Sequence, residues 1–267
     1  MRRPRLLTGL PVGILLLTML ACGTGTTRTP ATVDTPIPLA TDTSQPTQTL
    51  LPLYLSVSLG SVPLTEQGTT PIYKIDAQIP ALQGSTDPRA VNFNNEMSLL
   101  VQQEISVFKD NLHELVPTPG GTGSFFGEQY NLLSGPGNIL SVKIDISIYI
   151  EGAAHPSSHS RTVTYDLEAG SDVSLGQLFR TGSNYYQKLS DYCLAQLSPK
   201  ISDLFTGGLD PVPDNYRSWN ITPDGLLITF DEYQVAAYAL GPQQVAVPYA
   251  ELQVIIDPAG PLGQFLP

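Results

Sequence analysis

The sequence predicts an α+β fold in which two long helices pack on a largely antiparallel sheet. Residues 140–151 alternate apolar and polar side chains without interruption, which is the period of a strand with one buried face. Residues 92–115 and 184–205 instead repeat apolar side chains every three or four positions, as amphipathic helices do. Because the strands and helices do not alternate as βαβ units, the order of elements does not indicate a parallel sheet.

The other elements follow from the same two periods and from turn residues. Strands are predicted at residues 51–59 and 73–80, before the first long helix. The elements predicted after it are a hairpin of residues 140–151 with 161–167, a second hairpin of residues 219–221 with 226–230 across a Thr-Pro-Asp-Gly turn, a strand at 244–247 and a terminal helix over 248–255.

The first residues predict a cleaved signal peptide over residues 1–21. Arg2, Arg3 and Arg5 precede an apolar run over residues 6–20. This run is shorter than the about 20 residues that a spanning helix needs, and Pro11 interrupts it. We therefore expect removal of the segment and not membrane spanning.

Residues 17–22, Leu-Thr-Met-Leu-Ala-Cys, resemble the lipobox of bacterial lipoproteins, whose cysteine is diacylated and becomes the new N-terminus. Met19 and Leu20 depart from the usual pattern, so an ordinary secretory signal cut near Ala21 is the alternative. The resemblance implies palmitate-type chains on Cys22, and two or more such chains anchor a protein durably because each buried methylene contributes about 0.8 kcal/mol. We expect a lipid-anchored protein of the cell envelope, on the extracytoplasmic side of a bacterial membrane.

Composition divides the remainder of the chain into a tether and two structured parts. Residues 22–50 are rich in Thr and Pro and poor in large apolar side chains, which predicts a disordered tether. Residues 51–135 are predicted to form a small strand–helix subdomain, and residues 136–267 an α+β domain. The lone Cys193 that follows the lipidated cysteine excludes an intramolecular disulfide and is predicted to be buried rather than reactive.

The charge of the chain limits its partners. The formal charge is −11, and loss of residues 1–21 removes three of the 13 basic residues and none of the 24 acidic ones. A polyphosphate backbone requires a basic patch, so nucleic acid is not an expected partner. A cationic protein is electrostatically easier to bind. No residue pattern indicates a cofactor.

Seven short segments occur in an order that resembles one bacterial family. They are GAAHP (152–156), TYDLEAG (164–170), VSLGQLF (173–179), ITPDGL (221–226), FDEYQVA (230–236), ALG (239–241) and VPYAEL (247–252). Residues 140–256 resemble the extracytoplasmic domain of RsiV-type anti-sigma factors, a domain of unknown function that also precedes the catalytic domain of PdaC-type peptidoglycan deacetylases. Residues 51–115 are similar, more loosely, to the small domain that comes before it.

The resemblance implies an extracytoplasmic binding or sensing module, which in RsiV recognises lysozyme, and not a catalyst. The cytoplasmic sigma-binding segment and transmembrane helix of RsiV are not matched, nor is the deacetylase's catalytic domain. We therefore expect a non-enzymatic, lipid-anchored module for a cell-wall component or a lysozyme-like cationic protein. The alternatives are an envelope hydrolase that uses His155, with or without a metal ion, and a structural envelope lipoprotein.

The candidate ligand contacts are Glu151, His155, His159 and Tyr233, and no catalytic residue or metal ligand is assigned. A His-x-x-x-His spacing brings two imidazoles together on a helix, but Pro156 places this one in a loop. The alternatives are a structural turn in which His155 bonds to backbone, a metal site and a ligand contact. Asp231 and Glu232 are predicted to end a strand and to point to opposite faces.

Overall fold

In a computed structural model, residues 52–113, 116, 120–134 and 137–263 are described. These residues form one compact unit with an α+β fold, as predicted. The predicted signal peptide, Cys22 and the tether over 22–50 lie outside the described residues. Within the described part of the chain, no helix has the length and apolar character needed to cross a membrane.

The elements run as follows along the chain. The strands are β1 (Ser58–Thr69), β2 (Ile72–Gln83), β3 (Ser124–Ser134), β4 (Ile139–Tyr149), β5 (Ser157–Asp166), β6 (Ser171–Asp172), β7 (Trp219–Ile221), β8 (Gly225–Phe230) and β9 (Gln243–Pro248). The helices are α1 (Pro88–His113), α2 (Tyr185–Leu197) and α3 (Tyr249–Leu252), and short 3-10 turns join several of these elements.

The first six strands form one sheet in chain order, from β1 to β6. Neighbouring strands are antiparallel except β2 and β3, which run parallel because α1 connects them. The side chain of Asp87 accepts a hydrogen bond from the Arg89 N–H and Pro88 is the first helical residue, so the start of α1 is capped. α1 packs on one face of this sheet through a stripe of buried side chains: Phe93, Met97, Val101, Ile105, Phe108 and Leu112.

A second core forms around the three-stranded sheet β7–β8–β9 and helix α2. α2 ends at Leu197 and not near residue 205, because Pro199 has no N–H to donate to the carbonyl of Ala195 and the helical hydrogen bonds stop there. The small sheet is attached to the large one at Ser141 of β4. Its hydroxyl oxygen accepts hydrogen bonds from Asn220 Nδ2 and from the Ile221 N–H, each at 3.0 Å.

The expectation of two long helices on one antiparallel sheet fits only roughly, because α1 and α2 belong to different cores. The sequence did not predict β3, and it predicted only the first residues of β1. The predicted division at residues 135 and 136 falls between β3 and β4, which are antiparallel partners in the same sheet. The terminal helix α3 is one turn long and not the eight residues predicted over 248–255.

Candidate functional site

Three aromatic side chains stack on the surface where two loops meet. His155, in the connection from β4 to β5, lies 3.8 Å from Tyr238 between ring centroids, with an interplanar angle of 26°. Tyr233 also stacks with Tyr238, at 5.6 Å and 29°. His155 and Tyr233 are exposed and Tyr238 is half-buried. We call these three side chains the ring surface.

Hydrogen bonds to one carbonyl fix the ring surface. The Tyr238 hydroxyl donates to the Pro156 carbonyl at 2.8 Å, and His155 Nδ1 lies at the same distance from that oxygen. Because a carbonyl only accepts, Nδ1 carries a proton and donates to it, and Nε2 lies 3.4 Å from the Tyr233 hydroxyl. Tyr233 has a φ of 65°, so the backbone adopts a left-handed conformation to present this ring.

Two carboxylates attach the loop of residues 231–242 to the edge of β5. Glu232 accepts from the Ser158 N–H and hydroxyl, and Asp231 accepts from the Ser160 N–H at 2.8 Å. The prediction that Asp231 and Glu232 point to opposite faces of a strand is therefore wrong. β8 ends at Phe230, and the turn that follows directs both carboxylates to the β5 edge, where β6 pairs only with residues 165 and 166.

A groove of about 490 Å³ lies beside the ring surface, on the face of the large sheet opposite α1. The strand register sets two polar rows along its floor: Asp76, Gly127, Ser147 and Ser158 in one row, and Gln129, Asp145 and Ser160 in the other. The Phe125 ring lies over Gly127 as one wall, and Pro242 of the loop borders the opposite side. We call this cavity the sheet groove.

Glu128 follows Gly127, which lies on the floor of the sheet groove, and is 1% exposed, so its side chain is covered by the protein. The pairing of β2 with β3 stops at Ala77 and Glu128, and Glu128 Oε2 accepts a hydrogen bond from the next N–H of β2, that of Gln78, at 2.8 Å. Among the described side chains, Oε1 is one of five buried polar atoms without a hydrogen-bond partner. Burial, reinforced by the nearby charge of Asp145, raises the pKa of Glu128 to about 7.

The sequence reasoning missed Glu128, although a signal was present. The acid stands in the segment Phe125-Phe126-Gly127-Glu128, between aromatic residues and Tyr130, where an ionisable side chain is exceptional. Neither strict alternation nor a helical period surrounds it, so the segment was not recognised as a strand.

The predicted contacts do not converge on one point. His155 and Tyr233 meet at the ring surface. His159 Nε2 lies 3.0 Å from Glu104 Oε2 on α1 and also borders the sheet groove. The carboxyl of Glu151 packs against Gly121 and leaves no space there for a Cβ. Within the described residues, no three His, Cys, Asp or Glu side chains are grouped closely enough to hold a metal ion.

Comparison with known proteins identifies one domain. Residues 176–250 match the family DUF3298, a protein of unknown function. The chain is 31% identical over 111 residues to the peptidoglycan-N-acetylmuramic acid deacetylase PdaC of Bacillus subtilis strain 168. That match covers 39% of this chain and 24% of the deacetylase, so the chain spans about a quarter of that relative's length.

Two crystal structures of DUF3298 family proteins share the fold at 14% sequence identity. The protein from Bacteroides fragilis NCTC 9343 gives a TM-score of 0.62 over 79% of this chain and 97% of its own. The protein from Pseudomonas aeruginosa PAO1 gives 0.53 over 76% and 95%. This chain therefore contains a DUF3298 domain and has the α+β fold of DUF3298 proteins.

Proposed function

We propose that this chain is a non-enzymatic binding module of the bacterial cell envelope and that it holds a cell-wall glycan on the ring surface. The proposal includes an RsiV-like domain type and a lipid anchor at Cys22 that keeps the module on the extracytoplasmic side of a membrane. The observation that carries it is the stack of His155, Tyr233 and Tyr238 at the protein surface.

The ring surface suits a ligand with both apolar and polar faces. Tyrosine and histidine rings offer a flat apolar body and a polar edge, and a sugar ring offers C–H groups on its face and hydroxyls around its rim. The rings are already held by hydrogen bonds to the Pro156 carbonyl and to each other, so binding does not have to order them. Such pre-organisation lowers the entropy cost of binding.

The contacts of His155 favour binding over catalysis. A general base needs a nitrogen aimed at the substrate and oriented by a partner such as a carboxylate. Among the described residues, the hydrogen-bond partners of His155 are the Pro156 carbonyl and the Tyr233 hydroxyl. Both ring nitrogens therefore serve the stack itself.

The named relative supplies the ligand class. As its name states, that enzyme acts on peptidoglycan, and the region it shares with this chain is about a quarter of its length. A module that holds a peptidoglycan strand is a useful companion to an enzyme that acts on one. In this chain we propose that the same type of domain binds the glycan without acting on it.

Sedimentation of the purified full-length chain with insoluble peptidoglycan tests the proposal. We expect the chain to pellet with the polymer, and Tyr238→Ala to weaken binding by about tenfold, which corresponds to about 1.4 kcal/mol. Tyr54→Ala removes a partly exposed tyrosine outside the ring surface and serves as the matched control. A chain that stays in the supernatant, or a Tyr238→Ala variant that pellets as well as the parent, would sink glycan binding at the ring surface.

The location is tested separately in cells. We expect the parent chain to be found in the membrane fraction and to incorporate radiolabelled palmitate. Cys22→Ser removes the acylated atom and is expected to abolish the label, whereas Cys193→Ser leaves it unchanged. Equal labelling of the parent and the Cys22→Ser variant would remove the anchor from the proposal.

A further inference from the structure

The sheet groove begins next to the ring surface. The Pro156 carbonyl that holds two rings of the ring surface stands two residues before Ser158, which is about 7 Å along an extended chain. Ser158 ends one polar row of the groove floor, and its hydroxyl donates a hydrogen bond to Glu232, the residue before Tyr233. Pro242, at the end of the same loop, borders the groove. A ligand that extends from the ring surface in this direction therefore enters the groove.

The groove is large enough for a sugar ring. One polar row crosses the strands from Ser158 on β5 to Asp76 on β2, and neighbouring strands lie about 4.8 Å apart, so this row is about 14 Å long. The second row lies two residues farther along the strands, at about 7 Å. Ser147 forms the floor between the Phe125 ring and Pro242, and a cavity of about 490 Å³ with one apolar wall and a few polar groups is of the kind that takes a small ligand.

The two carboxylates on the groove floor already have cationic partners. Asp76 pairs with Lys74 at 3.1 Å, and Asp145 pairs with Lys143, in each case two positions along the same strand and so on the same face. Asp145 Oδ2 also accepts a hydrogen bond from Asn131 Nδ2 at 3.0 Å. The floor therefore has no unpaired charge that a ligand must match, and this favours a neutral ligand.

The groups that remain for a ligand are neutral. The side chains of Gln129 and Ser147 are exposed and form no hydrogen bond within the described part of the chain. Gln78 uses its amide oxygen to accept from the Ser61 hydroxyl at 3.2 Å, which leaves its amide nitrogen as a donor. The Phe125 ring is 36% exposed and presents a flat apolar surface. Amides, a hydroxyl and one aromatic ring match the hydroxyl groups, acetamido group and C–H face of an N-acetylated sugar.

We propose that the sheet groove is a second glycan subsite, which holds the N-acetylated sugar next to the one on the ring surface. The C–H face of this sugar packs on Phe125, and its hydroxyl and acetamido groups bond to Gln129 and Ser147. The inference rests on the proposed function and extends it from one sugar to at least two consecutive sugars. The glycan then runs across the strands, from the ring surface over β5 and β4 towards β3.

An NMR titration of the full-length chain tests the second subsite. The probes are N-acetylglucosamine and its β-1,4-linked tetramer, which is long enough to occupy both subsites at once. The backbone amide of Tyr233 reports on the ring surface, and the side-chain amide of Gln129 reports on the groove. We expect the tetramer to shift both signals and to bind at least about tenfold more tightly than the single sugar, because the second contact is made within one complex.

Two variants remove the groove contacts and leave the ring surface intact. Phe125→Ala and Gln129→Ala should each weaken binding of the tetramer by about fivefold to tenfold, with no change in the shift of the Tyr233 signal by the single sugar. Phe205→Ala and Gln103→Ala are the matched controls, because both side chains are exposed and neither lines the groove. Thermal unfolding checks that every variant is folded.

The outcomes separate the two subsites. A tetramer that binds no more tightly than the single sugar, or folded Phe125→Ala and Gln129→Ala variants that bind it as tightly as the parent, overturn the second subsite. The ring surface survives that result if Tyr238→Ala still weakens sugar binding. Conversely, binding that depends on Phe125 and Gln129 and not on Tyr238 removes the ring surface and keeps the groove. A chain that binds neither probe overturns both.

Discussion

Glu232 accepts two hydrogen bonds from Ser158, one from its backbone N–H at 3.0 Å and one from its hydroxyl at 2.5 Å. These bonds close the edge of β5 and hold the loop that carries Tyr233 and Tyr238. The edge of a sheet otherwise presents unpaired N–H groups to other chains. One carboxylate thus protects the edge and positions the ring surface.

Replacement of Glu232 is expected to loosen this attachment. Glu232→Ala leaves the Ser158 N–H without its partner, which costs about 1–3 kcal/mol for a polar group that water does not fully reach. Urea unfolding measures the loss, and hydrogen exchange at Ser158 locates it. Asp203→Ala, at an exposed carboxylate, is the control and should change stability by less than about 0.5 kcal/mol. Unchanged exchange at Ser158 would argue against this role of Glu232.

Glu104 joins α1 to β5 and gives a second prediction. The hydrogen bond from His159 lowers the pKa of Glu104, and the charge and hydrogen bond of Arg161 lower it further. Because the folded state depresses this pKa, the stabilisation is present above the unfolded value and is lost as the pH falls through the folded value. We expect Glu104→Gln to lower the free energy of unfolding by about 1–3 kcal/mol at pH 7.

The test compares Glu104→Gln with the parent in urea at several pH values. The difference between the two should shrink as the solution is acidified below the normal range of a glutamate. Glu251→Gln is the control, since Glu251 is about half exposed and lies 3.7 Å from Lys188. An exposed pair of this kind contributes about 0–1 kcal/mol. A difference for Glu104→Gln that stays constant with pH would exclude the charge as its cause.

Glu128 gives a prediction of the opposite sign. Its folded pKa of about 7 lies above the usual value of 4.5, so the folded protein holds this proton more tightly than the unfolded chain does. Its contribution to stability is therefore complete below the unfolded pKa and is lost as the pH rises through about 7. Glu128→Gln lacks this loss, and we expect it to gain about 3 kcal/mol relative to the parent between pH 4.5 and pH 8.

Urea unfolding of the parent and Glu128→Gln across that range measures the relative gain. The carboxyl pair of Glu96 and Asp172, whose pKa values burial also raises, is common to both proteins and cancels in the difference. Parallel stability curves for the two proteins would show that Glu128 is ionised normally in the folded state.

The sequence predicted best the elements that bury a single face, because burial of one face produces a regular apolar period. β4 alternates because the large core buries one side of it, and α1 repeats because a single stripe faces that core. β3 could not be predicted in this way, since Gly127 lies under the Phe125 ring and Glu128 occupies a buried position. α2 ends before the apolar period does, because Pro199 has no N–H for the next helical hydrogen bond.

The candidate site was likewise predicted only in part from the sequence. The sequence placed His155 in a loop and Tyr233 in an aromatic region, and both belong to the ring surface. It could not show that Tyr238 stacks with both, because the two loops meet only through long-range contacts. His159 is only four positions from His155, but it lies within β5, where its neighbour is Glu104.

Cys193 provides the last prediction. The thiol is fully buried in the small-sheet core, and burial raises its pKa to about 12. Because the thiolate is the form that reacts, the folded protein should not be alkylated at this position by iodoacetamide at pH 8. Mass spectrometry of the peptide that contains Cys193 measures the labelling, and the same treatment in concentrated urea should label it completely. Rapid labelling without denaturant would contradict the buried position of Cys193 and the packing of α2 against β9.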